Sequence, residues 1–383
     1  MTINDIDIKD KRVIIRCDFN VPIKDNKILD DTRIKESLKT INFVKEKASK
    51  VILLSHLGRI KSEDDKKNNS LKVVCDYLSK LINEKIEFCT YQDNIEEKIQ
   101  NNKIVMLENT RFFDVDNNKE SNADEDLSKY FSSFGDIFIN DAFGTCHRNN
   151  ASNVGISKYL QSVNGFLVDK EINMLNKIKN NPERPFIVIM GGAKISDKIP
   201  LIESLINKVD KLIISGGMAF TFLKVQNYNI GKSIIDDNSI EFCKKLLSNY
   251  SDKIILPNDV YTGLEFTNDT KKVLKKIDEI DDNEIGLDIG PSTIENYKNI
   301  LKGSKTIFVN GPVGAFELDN FSYGTKELFN ILEKSDAYVV IGGGDSANAV
   351  KELGFNFENV STGGGASLEY IEGKKLPGIF QGE

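Results

Sequence analysis

The sequence predicts an α/β protein of two halves, each a parallel sheet flanked by helices. Short Val/Ile/Leu-rich runs recur along the 383 residues, separated by longer stretches with helical spacing. That alternation is expected of strands buried on both faces of a parallel sheet. Nearly every run ends in a polar or glycine-rich motif, and ligands of open parallel sheets bind outside the carboxyl ends of the strands. Cations and glycines are also segregated. All seven arginines (12, 16, 33, 59, 111, 148 and 184) lie in the first half, whereas glycine clusters are densest in the second. The length suffices for two domains, so two sheets with different edge chemistry predict two half-sites facing one cleft.

In the first half, strands are expected at RVIIRCDFN (12–20), KVILLSH (50–56), IEFC (86–89), KIVMLEN (103–109) and DIFINDAF (136–143). Their ends carry Asp18 and Asn20, then His56 and Arg59, then Arg111, and finally His147 and Arg148; Arg33 follows in DDTRI. Where 44 lysines supply ordinary surface charge, an arginine is retained for its planar fork. Arg33, Arg59, Arg111 and Arg148 around one point, with His56, would grip a small, highly charged phosphate or carboxylate. Asp18 and Asn20 would fix a hydroxyl or orient an arginine. A single arginine of this kind reads as a surface cation; four of seven at strand ends read as a cradle. Arg16, inside its run, reads as structural. The polar stretches 61–70 and 114–126 read as solvated loops.

Residues 165–182 form the expected connecting helix between domains at 1–164 and 183–366. Leu167, Ile172, Leu175 and Ile178 fall near one helical face, and Pro182 to Pro185 mark the boundary. In the second half, runs at 185–192, 211–217, 253–259, 285–291, 306–312 and 337–344 read as strands, with one more at 358–365. GGAKISDK (191–198) lacks the G-x-x-x-x-G-K-[ST] spacing of a P-loop. It leaves backbone N–H groups and two lysines, Lys194 and Lys198, one turn apart on a helix start, where they can hold a transferring phosphoryl group. Gly216, Gly217 and Gly286 suit either the close approach of a flat nucleotide base or plain tight turns. GGGDSA (342–347) formally matches G-x-G-x-x-A. A dinucleotide site, however, needs an acidic residue about 20 positions on, and there the chain reads STGGGAS (361–367). Asp345 fits better as a ligand of Mg²⁺ on nucleotide phosphates, because such an ion takes only one or two carboxylates.

The net charge of −7 argues against nucleic acid as the main partner. No run reaches the length of a membrane span, and the N-terminal residues carry no apolar targeting segment. Five scattered cysteines (17, 75, 89, 146 and 243), none in C-x-x-C spacing, read as free thiols of a reducing compartment, so the cytoplasm is expected. Neither histidine has a metal-ligand partner at helical spacing, and no G-x-S-x-G elbow is present.

Taken together, RCDFNVP (16–22), SHLGR (55–59), LENTRF (107–112), DAFGTCHR (141–148), GGAKISDK (191–198), GGMAFTFLK (216–224), GLDIGP (286–291), NGPVGAFE (310–317), GGGD (342–345) and TGGGASLE (362–369) resemble the phosphoglycerate kinase family. The resemblance runs from about Arg12 to Gly378, with the motifs in the family's order. It implies two Rossmann-like domains joined by a connecting helix and hinge, with the C-terminal segment, about 367–383, returning to the N-terminal domain. It implies reversible in-line transfer between 1,3-bisphosphoglycerate and ADP, giving 3-phosphoglycerate and ATP, with domain closure, in a monomer without nucleic-acid or membrane partners. By motif, Asp18, Asn20, Arg33, His56, Arg59, Arg111 and Arg148 resemble the 3-phosphoglycerate site. Gly192, Lys194, Lys198, Gly216, Gly217, Gly286, Asn310, Pro312, Glu317, Gly343, Gly344, Asp345 and Ser346 resemble the nucleotide site, with Glu317 on the ribose and Mg²⁺ at Asp345. Arg33, Lys194, Lys198, Gly344 and Gly365 would surround the transferring group. Cys146, Ile60, Asn149, Asn150, Ser346 and Phe308 depart from the family's usual residues, and Cys146 raises the question of a reactive thiol.

The implied chemistry suits the parts. The acceptor is a carboxylate, already ionised at neutral pH, so no general base is required and catalysis falls to positioning and charge stabilisation. An NAD-dependent oxidoreductase is disfavoured by the missing ribose acid and by the arginine cradle. A two-domain binding protein would have no use for paired lysines beside a metal carboxylate.

Overall fold

The apolar runs do fold into strands buried on both faces. The computed structural model describes residues 2–115 and 117–380, and the chain divides into two units, Met1–Asn173 with Lys375–Glu383, and Met174–Lys374. The first unit holds β1 (Arg12–Cys17), β2 (Ile23–Lys24), β3 (Lys27–Ile28), β4 (Lys50–Leu54), β5 (Glu87–Cys89), β6 (Ile104–Leu107), β7 (Ile137–Asp141) and β8 (Gln161–Asn164). Six form a parallel sheet in the order β5-β6-β4-β1-β7-β8, and β2 pairs with β3 as a small hairpin. β1 lies between β4 and β7, with Arg16 opposite Leu54 on one side and Asn140 on the other. Alternate residues of β1 enter separate cores: Val13 and Ile15 join one, and Ile14 joins the other with Ile52, Leu54 and Phe138. The chain turns from one side of β1 to the other at this strand, which is where ligands gather in such sheets.

The second unit holds β9 (Phe186–Met190), β10 (Lys211–Ile214), β11 (Ile254–Ile255), β12 (Asp259–Gly263), β13 (Val273–Lys276), β14 (Ile285–Ile289), β15 (Thr306–Asn310) and β16 (Tyr338–Gly342). Five run parallel in the order β11-β10-β9-β15-β16, and β13-β12-β14 form a separate antiparallel sheet. The run at 285–291 thus leaves the parallel sheet expected for it. Its partner's neighbour β13 alternates half-buried and exposed residues, the pattern of a sheet with one wet face. The run at 253–259 gives only two residues of strand before Pro257, which has no N–H to donate. The run at 358–365 contributes a single bridge, Ile341 to Val360.

Two loop expectations also change. Residues 61–70 contain an exposed helix, Glu63–Asn68, and the stretch 114–126 buries Asp114 and Glu120. The division between units falls inside the helix Phe166–Lys179, and the return to the first unit begins at Lys375, later than residue 367, because the helix Gly365–Ile371 belongs to the second unit. The returning segment is tied down by Asn140, whose Nδ2 donates to the Gly378 carbonyl at 2.7 Å, and by Asn164, which exchanges two hydrogen bonds with the Phe380 backbone. Cys146 lies under this segment, fully buried, and burial pushes its thiol up. It is therefore a filler and not a reactive thiolate. No helix among the described residues is long and apolar enough to cross a membrane.

Asp141, at the end of β7, accepts the Leu167 N–H at 2.9 Å and so holds the start of the helix Phe166–Lys179. Burial pushes its carboxyl from 3.8 up to about 8. The folded state then keeps a proton that the unfolded chain releases. Stability from this group is complete below pH 3.8 and is lost as pH rises through about 8. Asp141→Asn should abolish that loss. Urea unfolding should show the variant gaining about 3–4 kcal/mol relative to the parent between about pH 5 and pH 8. A pH-independent difference would mean that Asp141 folds ionised.

Candidate active site

In the first unit, the site grows from the carboxyl ends of β1, β4 and β6. Arg33 Nη1 lies 3.1 Å from both Asp18 carboxylate oxygens and 3.3 Å from the Asn20 carbonyl. Of the two roles expected for Asp18, orienting an arginine is the one observed. The remaining N–H groups of Arg33 make no hydrogen bond among the described residues, and its side chain is 35 % exposed. The 55–59 turn is pinned from several sides. Ser55 Oγ donates to the Cys17 carbonyl at 2.9 Å, Asn20 Oδ1 accepts the Gly58 N–H at 2.9 Å, and Arg111 Nη1 donates to the Gly58 carbonyl at 2.7 Å. Asn109, not singled out in the sequence, completes the frame: its Oδ1 accepts the Leu57 and Arg111 N–H groups and its Nδ2 donates to the Leu57 and Asn69 carbonyls.

His56 is buried within this frame. Burial lowers its proton affinity well below the ordinary 6.5, and the charges of Arg16, Arg111, Arg148 and Arg33 lower it further. Arg111 is itself pushed down, by burial and then by Arg148. Positive charge therefore converges on one neutral imidazole, with Asp18 and Glu120 offsetting Arg33 and Arg16 from behind, and the exposed side favours an anion. Arg148 is exposed, with Nε 3.3 Å from His147 Nε2. Arg59 is exposed and makes no hydrogen bond or ion pair among the described residues, so no contact joins it to the cluster.

In the second unit, the carboxyl ends of β9, β10, β15 and β16 meet through their backbones. Gly191 N–H donates to the Asn310 carbonyl, Gly192 N–H to the Pro312 carbonyl, and Gly216 N–H to the Val313 carbonyl, at 3.0, 3.0 and 3.1 Å. Ser346 Oγ accepts the Gly311 N–H at 2.6 Å, and Asn310 Nδ2 donates to the Gly342 carbonyl at 2.9 Å. That amide orientation turns Asn310 Oδ1 to Lys198 Nζ, which donates to it. Lys198 is half-buried, and burial lowers its proton affinity against the pull of Asp345 and Asp197. The loop that carries it is anchored by Asp236, whose Oδ2 accepts the Ser196 N–H at 2.9 Å. Lys194 is exposed and makes no hydrogen bond or ion pair among the described residues, though its charge acts on Asp236.

The helix Gly344–Glu352 begins here with no side-chain cap, and Asp345 and Gly344 are exposed in its first turn. Its first N–H groups and its dipole thus face an open position where an anion is favoured. A Cβ on Gly344 would meet nothing within 4 Å, whereas one on Gly343 would press on Asn310 Nδ2. The short helix Gly365–Ile371 also starts uncapped, behind Gly364. Glu317 is exposed and makes no hydrogen bond or ion pair among the described residues.

Beside these strand ends lies a shallow pocket lined by Gly216, Gly217, Pro257, Leu287 and Val313. Gly286 also borders it, yet its missing side chain has another cause: a Cβ there would collide with the Phe220 ring. The close approach expected of a base at Gly286 is taken by the protein's own aromatic. Asp288, on the same strand, accepts the Ile289 and Gly324 N–H groups at 2.9 and 2.8 Å, and burial pushes its carboxyl up to about 7.

The sequence matches the family described as phosphoglycerate kinase over residues 3–374. The chain belongs to the phosphoglycerate kinase family. A phosphoglycerate kinase from Lactobacillus delbrueckii subsp. bulgaricus is 50 % identical over 99 % of this chain and 98 % of its own length. One from Enterococcus faecalis is 49 % identical with the same coverage. Among solved structures, phosphoglycerate kinase from Coxiella burnetii superposes with a TM-score of 0.88 at 37 % identity, covering 99 % of this chain and 97 % of that one. The Pyrococcus horikoshii phosphoglycerate kinase gives 0.84 at 28 % identity with the same coverage. The motifs that suggested phosphoglycerate kinase in the sequence are the strand ends described above. Of the supporting residues, Arg16 and Asn109 lie inside those motifs but do not read there as site residues, and Glu120, Ser152 and Asp236 lie outside them, because each acts mainly through partners distant in sequence.

Proposed function

We propose that the chain performs its family's reaction through these two half-sites: reversible phosphoryl transfer between 1,3-bisphosphoglycerate and ADP, yielding 3-phosphoglycerate and ATP. The observation that carries this reading is the convergence of guanidinium charge on a neutral His56 in one unit, matched by uncapped glycine-rich helix starts and lysines in the other. 3-Phosphoglycerate occupies the cradle of Asp18, Asn20, Arg33, His56, Arg111 and Arg148, with Arg59 free to swing onto its phosphate. The nucleotide base lies in the pocket at Gly216, Gly217 and Leu287, and its phosphates run along Gly192, Lys198, Asn310 and the helix start at Gly343 to Ser346. Pro312 walls the base side and Glu317 takes the ribose hydroxyls.

In the ATP-consuming direction an oxygen of the acceptor carboxylate forms a bond to the γ-phosphorus while the β–γ bridging P–O bond breaks. ADP departs with the electron pair, and no proton moves. Arg33, Lys194, Lys198 and the N–H groups at Gly344 and Gly365 stabilise the charge on the transferring group. Because acceptor and nucleotide sit on different units, turnover requires the units to approach and exclude water, which would otherwise hydrolyse the acyl phosphate.

Among the described residues no three or more His, Cys, Asp or Glu side chains are grouped to hold a metal. A single exposed carboxylate at a phosphate-binding helix start does fit Mg²⁺, whose other ligands would be phosphate oxygens and water. Asp345 would hold it, and the ion when bound neutralises phosphate charge. Asp345→Ala should raise the Mg²⁺ concentration for half-maximal activity by about tenfold or more, while nucleotide binding without metal, read by calorimetry, stays nearly constant. An unshifted magnesium dependence would remove the role. The free buried thiols suit a reducing cytoplasm, and the reaction requires only a monomer.

The test is a coupled assay with MgATP and 3-phosphoglycerate, following NADH loss through glyceraldehyde-3-phosphate dehydrogenase. Signal that needs all three of ATP, Mg²⁺ and 3-phosphoglycerate is expected. Folded protein without signal would overturn the assignment.

A further inference from the structure

Arg16 is the largest fully buried side chain among the described residues, at 1 % exposure, and it lies on β1 directly behind the acceptor half-site. Each part of its guanidinium has a partner. Nη1 donates to the Cys17 carbonyl at 2.5 Å, Nε donates to Ser152 Oγ at 2.9 Å, and Nη2 stands 3.2 Å from His56 Nδ1. Ser152 in turn donates from Oγ to Glu120 Oε1 and from its backbone N–H to Oε2 at 2.9 Å, while Thr110 Oγ1 donates to the same carboxylate at 3.1 Å. Glu120 is fully buried. Glu120, Ser152, Arg16 and His56 form one continuous chain drawn from the 114–126 loop, the turn after β7, β1 and the end of β4.

Proton bookkeeping along this chain has one solution. A guanidinium only donates, so His56 Nδ1 must be the acceptor in its contact with Nη2. The ring is then neutral and carries its proton on Nε2. An imidazolium would set its Nδ1–H against an Arg16 N–H, beside the further positive charges of Arg111, Arg148 and Arg33 that face the ring. Glu120 supplies the negative charge that lets Arg16 remain buried, and Asp18 adds to it.

We propose that Glu120, Ser152 and Arg16 form a buried relay that positions His56 and locks it as the Nε2–H tautomer, so that the acceptor half-site presents a fixed N–H donor instead of a titrating cation. Arg16 is a positioning residue: its own N–H groups are spent inside the protein, and it reaches the acceptor through His56. The role in acceptor binding rests on the phosphoryl-transfer assignment, whereas the tautomer does not. One consequence is that acceptor affinity does not follow the ordinary histidine titration.

The chain has two histidines, so ring ¹⁵N NMR on the whole protein resolves both, and His147→Gln assigns them. In the parent, His56 should show an unprotonated Nδ1 and a protonated Nε2, unchanged from about pH 5 to pH 8. A protonated Nδ1, or titration near 6.5, would overturn the proposal without any variant. The double variant Arg16→Met/Glu120→Gln removes both charges together, so no buried ion is left alone. In this variant, folded by circular dichroism, His56 should become a tautomer mixture that titrates toward 6.5. Its KM for 3-phosphoglycerate should rise about tenfold and become pH-dependent, with kcat within about threefold of the parent. Arg16→Lys, which keeps a buried donor and charge, should restore much of the parent's spectrum. Arg16 acting only as core support would cost stability and leave the His56 spectrum unchanged, and that result would also overturn the relay. A parent with the expected spectrum but no turnover would strike the phosphoryl-transfer assignment alone.

Discussion

Lys194→Ala is expected to lower kcat by about 10²–10³-fold while changing the nucleotide KM by less than about threefold. The contrast with Lys198 gives the reason. Lys198 is already engaged in the free protein, its ammonium on Asn310 Oδ1 and facing Asp345. A cation held that way meets the nucleotide phosphates in the ground state and the transition state alike, so its loss weakens binding uniformly. Lys198→Ala should therefore raise the nucleotide KM by about 10–100-fold with a smaller change in kcat. Lys194 is exposed on the same loop and makes no hydrogen bond or ion pair among the described residues, its charge acting on Asp236 only through space. It is free to follow the phosphoryl group, and an interaction made only in flight appears in kcat. Because the exposed side chain makes no hydrogen bond or ion pair in the fold, and its charge only adds at long range to the Asp236 anchor, Lys194→Ala should melt close to the parent, and a large loss of rate belongs to chemistry. Steady-state kinetics on both variants decide the matter. A Lys194→Ala phenotype confined to KM would assign that lysine to ground-state binding.

The sequence revealed the strand ends better than it revealed what supports them. β1, β4, β6, β7, β9, β10, β15 and β16 were legible because strands buried on both faces are written as unbroken apolar runs, as in IVML and FIVIM. β8, with the sequence QSVN, has one apolar residue and shows no such run; its place is set by pairing with β7. The antiparallel group was missed for a related reason. IGLDI reads like any buried strand, and only its pairing with β12 reveals the direction.

The half-sites follow the same rule. Arg33, His56 and Arg111 could be picked out because arginine and histidine are scarce in this chain; His56 and Arg111 follow strand ends as expected, whereas Arg33 lies in the helix Thr32–Glu36 and reaches the site through Asp18. Glu120 could not, because it sits in the polar stretch DVDNNKESNADED, which composition marks as solvated. Burying a carboxylate there makes sense only once Arg16, Ser152 and Thr110 are found around it. Arg16 itself was read as structural, which describes its burial and misses its contact with His56. Gly286 shows the opposite failure. The glycine was noticed, but the reason for it, the Phe220 ring, lies more than sixty positions away in the chain.

Gly311→Ala is expected to destabilise the second unit by about 2–5 kcal/mol and to abolish nucleotide binding. The residue has φ +100°, and a Cβ there would overlap the carbonyl carbon and oxygen of Gly191. Neither side can yield cheaply. Gly191 is held by its N–H to the Asn310 carbonyl, and Gly311 by its N–H to Ser346 Oγ. The substitution must separate the ends of β9 and β15, and the same backbone contact places Asn310, Pro312 and, through Asn310, the Lys198 ammonium. Gly344→Ala supplies the counterpart. A Cβ at Gly344 meets no protein atom within 4 Å, and alanine favours a helix over glycine by about 1 kcal/mol, so this variant should melt at or above the parent. If the open space over Gly344 belongs to the phosphates, however, the added methyl group occupies it, and nucleotide affinity should fall by about tenfold or more. Urea unfolding and nucleotide calorimetry on the pair separate the two effects: lost stability with lost binding at Gly311, and retained stability with lost binding at Gly344. A Gly344→Ala protein that binds ADP like the parent would move the phosphate path away from this helix start.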